Sequence, residues 1–440
     1  MVGDAKLLEE VKGYNELLTV NELNKTLVDL CNPDEVINLG KSDGGCDIFS
    51  AKLGEGKKTA LIFGFPHPNE PIGSLTCLTL IKLIKNNKDL MKRYTWYIVP
   101  CADPDGASLN EGWFKGKFNI KKYAYNFYRT QAKKQTDWTF PAKYKDYSFD
   151  SPPKNTQALA NLIKKIRPDL VYPLHNAGFS GAYFFVTKRL GEKYYSEMIN
   201  LCNRLKIPLD LGEPEMPFMK ILKKPIYLDF GLEELYDYFK GNGQNPLEIL
   251  NHGTHSIGYA RKYNKNVFGL IGEVPYIYDA KIEDMALSGE TRKTMLKRKY
   301  EEYSVIVDLI EDALKLQNVN KESLFYSLLK EIIPMEKSLI LAGLNGLKSK
   351  EYLKKASNAE KFNSDVIGKF YTSLVLGECR RLLLDSKKSP ETKKYLNMVE
   401  AKIDELIEYV DKNSSYNVIP IDVLVKLQIG CLLISINHLK

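Results

Sequence analysis

Three segments with histidine or glutamate follow runs of apolar residues, in places where their side chains could hold a metal ion. His67 and Glu70 are three residues apart in the loop GFPHPNEPIGS, which follows the run ALIFG and which prolines stiffen. His175 ends the run LVYPLH, and Glu273 ends the run FGLIGE. Any one of these groups alone could instead be a buried polar residue, and the His67–Glu70 pair alone could be an ordinary surface pair. Their shared position after apolar runs is what indicates one site.

Two imidazoles and one carboxylate supply the nitrogen and oxygen donors that suit zinc, with a fourth position left open for water. We therefore predict that His67, Glu70 and His175 hold one zinc ion per chain. Bound zinc lowers the pKa of water toward neutrality and polarises a carbonyl group. Glu273 is the candidate general base, which takes a proton from the water and returns it to the leaving nitrogen. The predicted chemistry is metal-assisted hydrolysis of an amide bond.

The elements that must position these residues are short strands that alternate with helices. Helical spacing of apolar residues marks the stretches at 72–87 and 155–168. The alternation predicts βαβ units and an α/β fold with a mainly parallel sheet covered by helices on both sides. In such a sheet the carboxyl ends of the strands meet at one crevice, where ligands bind. The predicted strands are the runs ALIFG (60–64), TWYIVP (95–100), DLVYPLH (169–175), GAYFFVT (181–187) and VFGLIGEVP (267–275).

The pattern predicts three segments along the chain of 440 residues. Residues 1–35 read as a helical N-terminal segment, 36–317 as the catalytic domain, and 318–440 as an all-helical C-terminal domain. The stretch 418–439 is apolar but interrupted by Asp422, Lys426, Gln428 and Asn437, so we predict no membrane span there. The helical domain would serve as a surface for a homo-oligomer, as a docking site for a partner, or as a lid.

Composition narrows the function classes. The 63 basic and 55 acidic residues leave a net charge of +8, spread along the chain with no local basic stripe, so a nucleic-acid role is disfavoured. The same charge could help to attract anionic peptide ends. Seven cysteines without a CxxC pair and an N-terminus without a signal-peptide pattern predict a reduced, cytoplasmic location.

The motifs HPNE, LHNAG and IGEVP, in this order, resemble the M14 zinc carboxypeptidases over about residues 40–310. The resemblance implies a mixed, mainly parallel eight-stranded sheet sandwiched by helices, with the helical tail unexplained. It also implies a metallocarboxypeptidase that removes the C-terminal residue of a peptide, with zinc on His67, Glu70 and His175 and with Glu273 as the catalytic residue. The substrate would carry a free carboxylate.

This sequence departs from the family pattern at several positions. Many members carry an adjacent Asn-Arg pair that binds the terminal carboxylate, whereas here Asn126 and Arg129 in YAYNFYRT are the nearest match. Arg129 could read a carboxylate with two parallel hydrogen bonds, or it could pair with a nearby acid. Asn69 stands at the position inside the HxxE motif where the family usually has an arginine. Asp103, in CADPDG, replaces the asparagine of a family turn, for which we predict a structural role.

The stretch NHGTHSIGYARKY precedes Glu273 by about the distance at which the family places a mobile tyrosine loop that covers the substrate. His255, Tyr259 and Tyr263 are candidates for that role, and we take His255 and Tyr259 as candidate substrate-binding residues. His252 and His255 also have a spacing that could belong to a second metal site.

Two other readings stay open. Asn69 favours a zinc-dependent small-molecule deacylase or amidase of the aspartoacylase or succinylglutamate desuccinylase type. The third reading is a catalytically inactive protein in which the site only binds peptides.

Overall fold

The computed structural model describes residues 2–11, 13–212, 215–216 and 218–439. Helices and strands alternate through the first two thirds of the chain, and helices dominate the last third. The helices are α1 (Val2–Glu9), α2 (Val20–Leu30), α3 (Ile72–Asn86), α4 (Lys88–Arg93), α5 (Pro104–Ser108), α6 (Ile120–Asn126), α7 (Lys154–Ile166), α8 (Glu192–Leu205), α9 (Leu232–Gly241), α10 (Pro246–Ile249), α11 (Ser256–Arg261), α12 (Arg292–Leu314), α13 (Leu324–Gly346), α14 (Asn358–Phe362), α15 (Gly368–Asp385), α16 (Pro390–Asn413) and α17 (Ile421–His438). The strands are β1 (Val36–Lys41), β2 (Asp47–Leu53), β3 (Lys58–Phe63), β4 (Tyr94–Val99), β5 (Ala142–Tyr144), β6 (Tyr147–Phe149), β7 (Leu170–Pro173), β8 (Asn176–Phe179), β9 (Tyr183–Val186), β10 (Ile221–Lys223), β11 (Ile226–Leu228), β12 (Phe268–Tyr278), β13 (Leu287–Thr291), β14 (Lys355–Ser357) and β15 (Asn417–Val418).

The main sheet is mixed, with parallel strands at its centre. Its order is β1-β2-β4-β3-β7-β12-β9-β11-β10, and β8 and β15 also pair with β12. The pairs β4–β3, β3–β7 and β7–β12 are parallel, whereas β9 runs antiparallel to β12. The predicted mixed sheet with helices on its faces is confirmed. Within the described residues this sheet has eleven strands, nine of them on the path, rather than the expected eight.

Alternating side chains on the central strands explain how the helices cover the sheet. Leu61 and Phe63 of β3 share an apolar cluster with Leu159 and Ile163 of α7. Because side chains alternate along a strand, Ala60 and Ile62 point to the opposite face. Helix α3 packs against β3 and neighbouring strands, and α17 packs on α3 and α8. The end of β3 is therefore fixed within a buried layer, from which the loop at 64–71 emerges.

The chain forms two compact units whose limits differ from the predicted segments 1–35, 36–317 and 318–440. The first unit comprises residues 1–116, 132–276 and 419–440. The second comprises 117–131 and 277–418. Helix α17 is apolar almost all round, so it is buried in the first unit and does not belong with the preceding helices. It is long and apolar enough to cross a bilayer, but 61% of it is buried, which explains its composition.

The second unit is mainly helical, as predicted for this region, with the short strands β13, β14 and β15. Helix α12 packs on α13, and α15 packs on α16 and α6. Gly377 on α15 allows α6 to come close, since a Cβ atom there would lie 1.8 Å from the carbonyl oxygen of Ala124. Arg298 forms ion pairs with Glu290 and Asp365.

Candidate metal centre

His67 and Glu70 lie in the loop between β3 and α3, and both side chains are buried. Phe65 turns the chain at the start of this loop with a φ of 52°, a left-handed conformation that is uncommon outside glycine. Behind the loop, the side chain of Asn110 donates to the carbonyl oxygen of Pro68 at 3.0 Å. The hydroxyl of Tyr276 donates to the carbonyl oxygen of Asn69 at 3.0 Å. The backbone that carries the two candidate ligands is thus held from two sides.

His175 follows β7, the strand beside β3, and its side chain reaches the same point. Its Nδ1 lies 3.0 Å from Oε2 of Glu70, and its ring centre lies 5.1 Å from that of His67. One donor atom from each of His67, Glu70 and His175 falls within 4.8 Å of the others, and all three residues are buried. Among the residues that the structure describes, no other group of three potential ligands comes as close. The structure therefore brings the three predicted ligands together.

The donor set fits zinc, and the charges around it favour a cation. Burial by itself would lower the pKa of His175, but the carboxylates of Glu70, Asp137 and Glu273 raise this pKa well above its usual value. A site that stabilises the charged form of a buried histidine will also stabilise a divalent ion. Two imidazole nitrogens and one carboxylate oxygen are the ligands found in catalytic zinc sites with an open position.

Glu273 lies in β12, on the other side of β7 from β3. Its Oε1 is 3.7 Å from Nδ1 of His175, and its side chain is 14% exposed, so that water can reach it. The antiparallel register with β9 places it opposite Tyr183. The predicted general base is thus adjacent to the candidate ligands, although it comes from a strand nearly a hundred residues later.

Asp137 is a site residue that the sequence did not predict. It is 1% exposed, and its Oδ2 lies 3.2 Å from Nε2 of His175. Its other carboxylate oxygen accepts a hydrogen bond from the backbone N–H of Ser256 at 3.0 Å. Histidines that bind metals commonly donate their second ring nitrogen to a carboxylate, which fixes the tautomer and the ring orientation. Asp137 follows no predicted strand, so nothing in its sequence context indicated this contact.

Asn126 and Arg129, predicted to bind the substrate, belong to the second unit. The side-chain amide of Asn126 donates to the carbonyl oxygen of Lys122 at 2.8 Å. The backbone N–H of Arg129 donates to Oε1 of Glu378 at 2.8 Å. Burial raises the pKa of Glu378 to about 8. The substrate-binding roles of Asn126 and Arg129 stay predictions.

His255 and Tyr259 are buried in and around α11. His255 caps this helix: its Nδ1 accepts from the N–H of Gly258 at 3.3 Å, and its Nε2 lies 2.8 Å from the carbonyl oxygen of Phe230. The ring of Tyr259 packs against Phe140 with centres 5.3 Å apart. These contacts account for both side chains structurally, and their substrate-binding roles stay predictions.

Comparison with protein families gives one match. Residues 23–207 match the zinc carboxypeptidases, the M14 peptidases. The matched stretch contains His67, Glu70, Asp137 and His175, ends before Glu273, and covers less than half of the chain. No curated protein matches the chain in sequence.

Several solved structures are similar to parts of this chain. Carboxypeptidase A from Helicoverpa armigera has 13% identity and a TM-score of 0.39, with 62% of this chain and 71% of that chain covered. A metallo-carboxypeptidase from Burkholderia cenocepacia has 16% identity and a TM-score of 0.32, with 59% and 60% covered. A murein-tripeptide amidase from Escherichia coli O157 has 16% identity and a TM-score of 0.29, with 56% and 85% covered.

Proposed function

We propose that this protein is a zinc-dependent metallocarboxypeptidase that hydrolyses the C-terminal amide bond of a peptide. The observation that carries the proposal is the buried cluster of His67, Glu70 and His175 with Glu273 beside it. The zinc carboxypeptidase match over residues 23–207 supports it, because the three candidate ligands lie inside that match.

The residues of this site have three roles, which are to bind the metal, to orient a ligand and to transfer a proton. His67, Glu70 and His175 would hold zinc, which when bound supplies Lewis acidity toward water and the substrate carbonyl. Asp137 accepts a hydrogen bond from the Nε2–H group of His175, which would leave the lone pair of Nδ1 available to a metal ion. Glu273 takes the proton of the attacking water and delivers it to the leaving nitrogen. Its partial exposure lets water reach the carboxylate.

Glu273→Gln tests the catalytic part of the proposal. The amide keeps the size of the side chain but cannot accept the proton, so turnover should fall by about 10²–10⁴-fold while zinc stays bound. Glu233→Gln, on the exposed side of α9, is the matched control and should leave turnover unchanged. If Glu273→Gln turns over peptide like the wild type, the assignment of the base is wrong.

Substrate type is tested with the zinc-loaded wild-type protein and matched substrates. A peptide with a free C-terminus should be shortened by one residue, whereas its amidated twin should not. The competing reading, a small-molecule deacylase, is favoured by Asn69 in the position of the family's arginine. That reading would be supported if an N-acyl amino acid is hydrolysed and both peptides are left intact. A wild-type protein that binds zinc but hydrolyses none of these substrates would instead support a peptide-binding protein without activity.

A further inference from the structure

The buried face of the C-terminal helix α17 carries one long polar side chain, Gln428. Its neighbours along the helix are apolar, and Gln428 itself is 0% exposed. A buried amide is costly unless its oxygen and its nitrogen both find partners. Both polar atoms of the Gln428 amide therefore need hydrogen-bond partners within the protein.

Both ends of the amide are engaged. The hydroxyl of Thr76, on α3, donates to Oε1 of Gln428 at 2.6 Å. The Nε2 of Gln428 donates to the backbone carbonyl oxygen of His175 at 3.0 Å. The orientation of the amide is unambiguous, because a carbonyl oxygen can only accept. Gln428 thus joins α17 and α3 to the backbone of a candidate zinc ligand.

The peptide group that Gln428 holds also contacts a second ligand. The N–H of Asn176 belongs to the same peptide plane as the carbonyl of His175, and it donates to Oε2 of Glu70 at 3.2 Å. Because the peptide group is planar, a hydrogen bond that fixes its carbonyl also fixes the direction of its N–H. Gln428 on one side and Glu70 on the other therefore hold this peptide in one orientation.

We propose that Gln428 is a positioning residue of the candidate metal centre, through which α17 supports two of the candidate zinc ligands. This inference rests on the proposed function, since it assumes that Glu70 and His175 bind zinc. Gln428 sets the orientation of the peptide between residues 175 and 176, and through it the backbone of His175 and the carboxylate of Glu70. Helix α17 lies outside the stretch that matches the zinc carboxypeptidases, so the match does not include this contact.

The test is the zinc dissociation constant of Gln428→Met, measured by competition with a chromophoric chelator. Methionine keeps the length of the side chain and fills the space, but it cannot donate to the carbonyl of His175. Loss of a residue that supports a metal ligand typically weakens metal binding by about 10–100-fold. We expect a change of that size, together with an altered visible spectrum of the cobalt-loaded protein.

Ser435→Ala is the matched control. Ser435 lies two turns further along α17 and is also buried, but its hydroxyl pairs with Tyr194 and the carbonyl oxygen of Cys431. It should lower stability without changing the zinc affinity or the cobalt spectrum. Equal zinc affinity in Gln428→Met, Ser435→Ala and wild type would overturn the proposal.

Thr76→Val decides the question if Gln428→Met does not fold. It removes the hydroxyl that fixes Oε1 of Gln428 and keeps the side-chain shape, so zinc affinity should fall less than in Gln428→Met but measurably. A wild-type affinity in folded Thr76→Val, with Gln428→Met unfolded, would also overturn the proposal. Failure of the proposed function looks different, because the wild-type protein itself would then not bind zinc.

Discussion

Replacing Asp137 tests how the metal centre is held together. The two carboxylate oxygens of Asp137 accept from two different N–H groups, Nε2 of His175 at 3.2 Å and the backbone of Ser256 at 3.0 Å. Asparagine has one acceptor oxygen and one NH2 group. Whichever way the amide turns, its NH2 faces an N–H donor. Asp137→Asn therefore loses one of the two hydrogen bonds although its shape is almost unchanged, and Asp137→Ala loses both.

The expected magnitude follows from what Asp137 does to His175. Without the carboxylate, the neutral imidazole of His175 can carry its proton on Nδ1, the nitrogen directed at Glu70, and that tautomer cannot bind a metal through Nδ1. Substitutions of such carboxylates weaken metal binding by about 10–100-fold. That range corresponds to about 1.4–2.8 kcal/mol of binding free energy. It is also consistent with the loss of one hydrogen bond to a charged group, about 1.5–3 kcal/mol.

The assay is a chelator competition that gives the zinc dissociation constant of each variant. Asp150→Asn, an exposed aspartate in the same unit, is the control and should bind zinc like the wild type. Asp137→Ala should be at least as weak as Asp137→Asn. The reasoning would be refuted by a folded Asp137→Ala protein that binds zinc as tightly as the wild type.

Further predictions concern stability. Asp103 caps α5 and is buried, which raises its pKa to about 7 from about 3.9 in unfolded chains, so its contribution to stability is present below pH 4 and is lost as the pH rises through 7. Asp103→Asn should therefore have a higher unfolding free energy than the wild type at pH 8, by up to about 4 kcal/mol, and equal unfolding free energies at pH 8 would contradict this. Tyr276→Phe removes the hydrogen bond to Asn69 and should lower the unfolding free energy by about 0.5–1.5 kcal/mol in a urea titration; an unchanged midpoint would count against that contact. Zinc at about a hundred times its dissociation constant should add about 2.7 kcal/mol in thermal unfolding, so melting curves that a chelator does not shift would argue against a folded-state zinc site.

The sequence predicted the residues at strand ends well. His67, Glu70 and His175 lie just after strand ends, which the topology of a parallel sheet brings to one edge. Glu273, predicted to end a strand, instead lies inside β12, which continues to Tyr278. Long-range contacts that do not follow from strand order could not be predicted. Asp137 is 38 positions away from His175 and lies in a short turn. Gln428 is 253 positions away, on a helix whose sequence is typical of a buried structural helix.

The limits of the two units could not be predicted for a related reason. Helix α17 follows a series of helices in the sequence, so the pattern placed it with them. Its side chains are apolar on nearly all sides. Packing between α3 and α8 buries more of them than a position on the outside of a small helical domain would. The stretch 117–131 belongs to the second unit through the packing of α6 on α15, a contact more than two hundred residues apart in sequence.

The central claim is that His67, Glu70 and His175 form a zinc site, and the zinc content of the purified protein tests it most directly. After dialysis against a weak chelator, the wild-type protein should retain about one zinc ion per chain by plasma mass spectrometry. A folded His67→Ala/His175→Ala variant should retain almost none. A wild-type protein without zinc, or a double variant that keeps a full equivalent, would contradict the account.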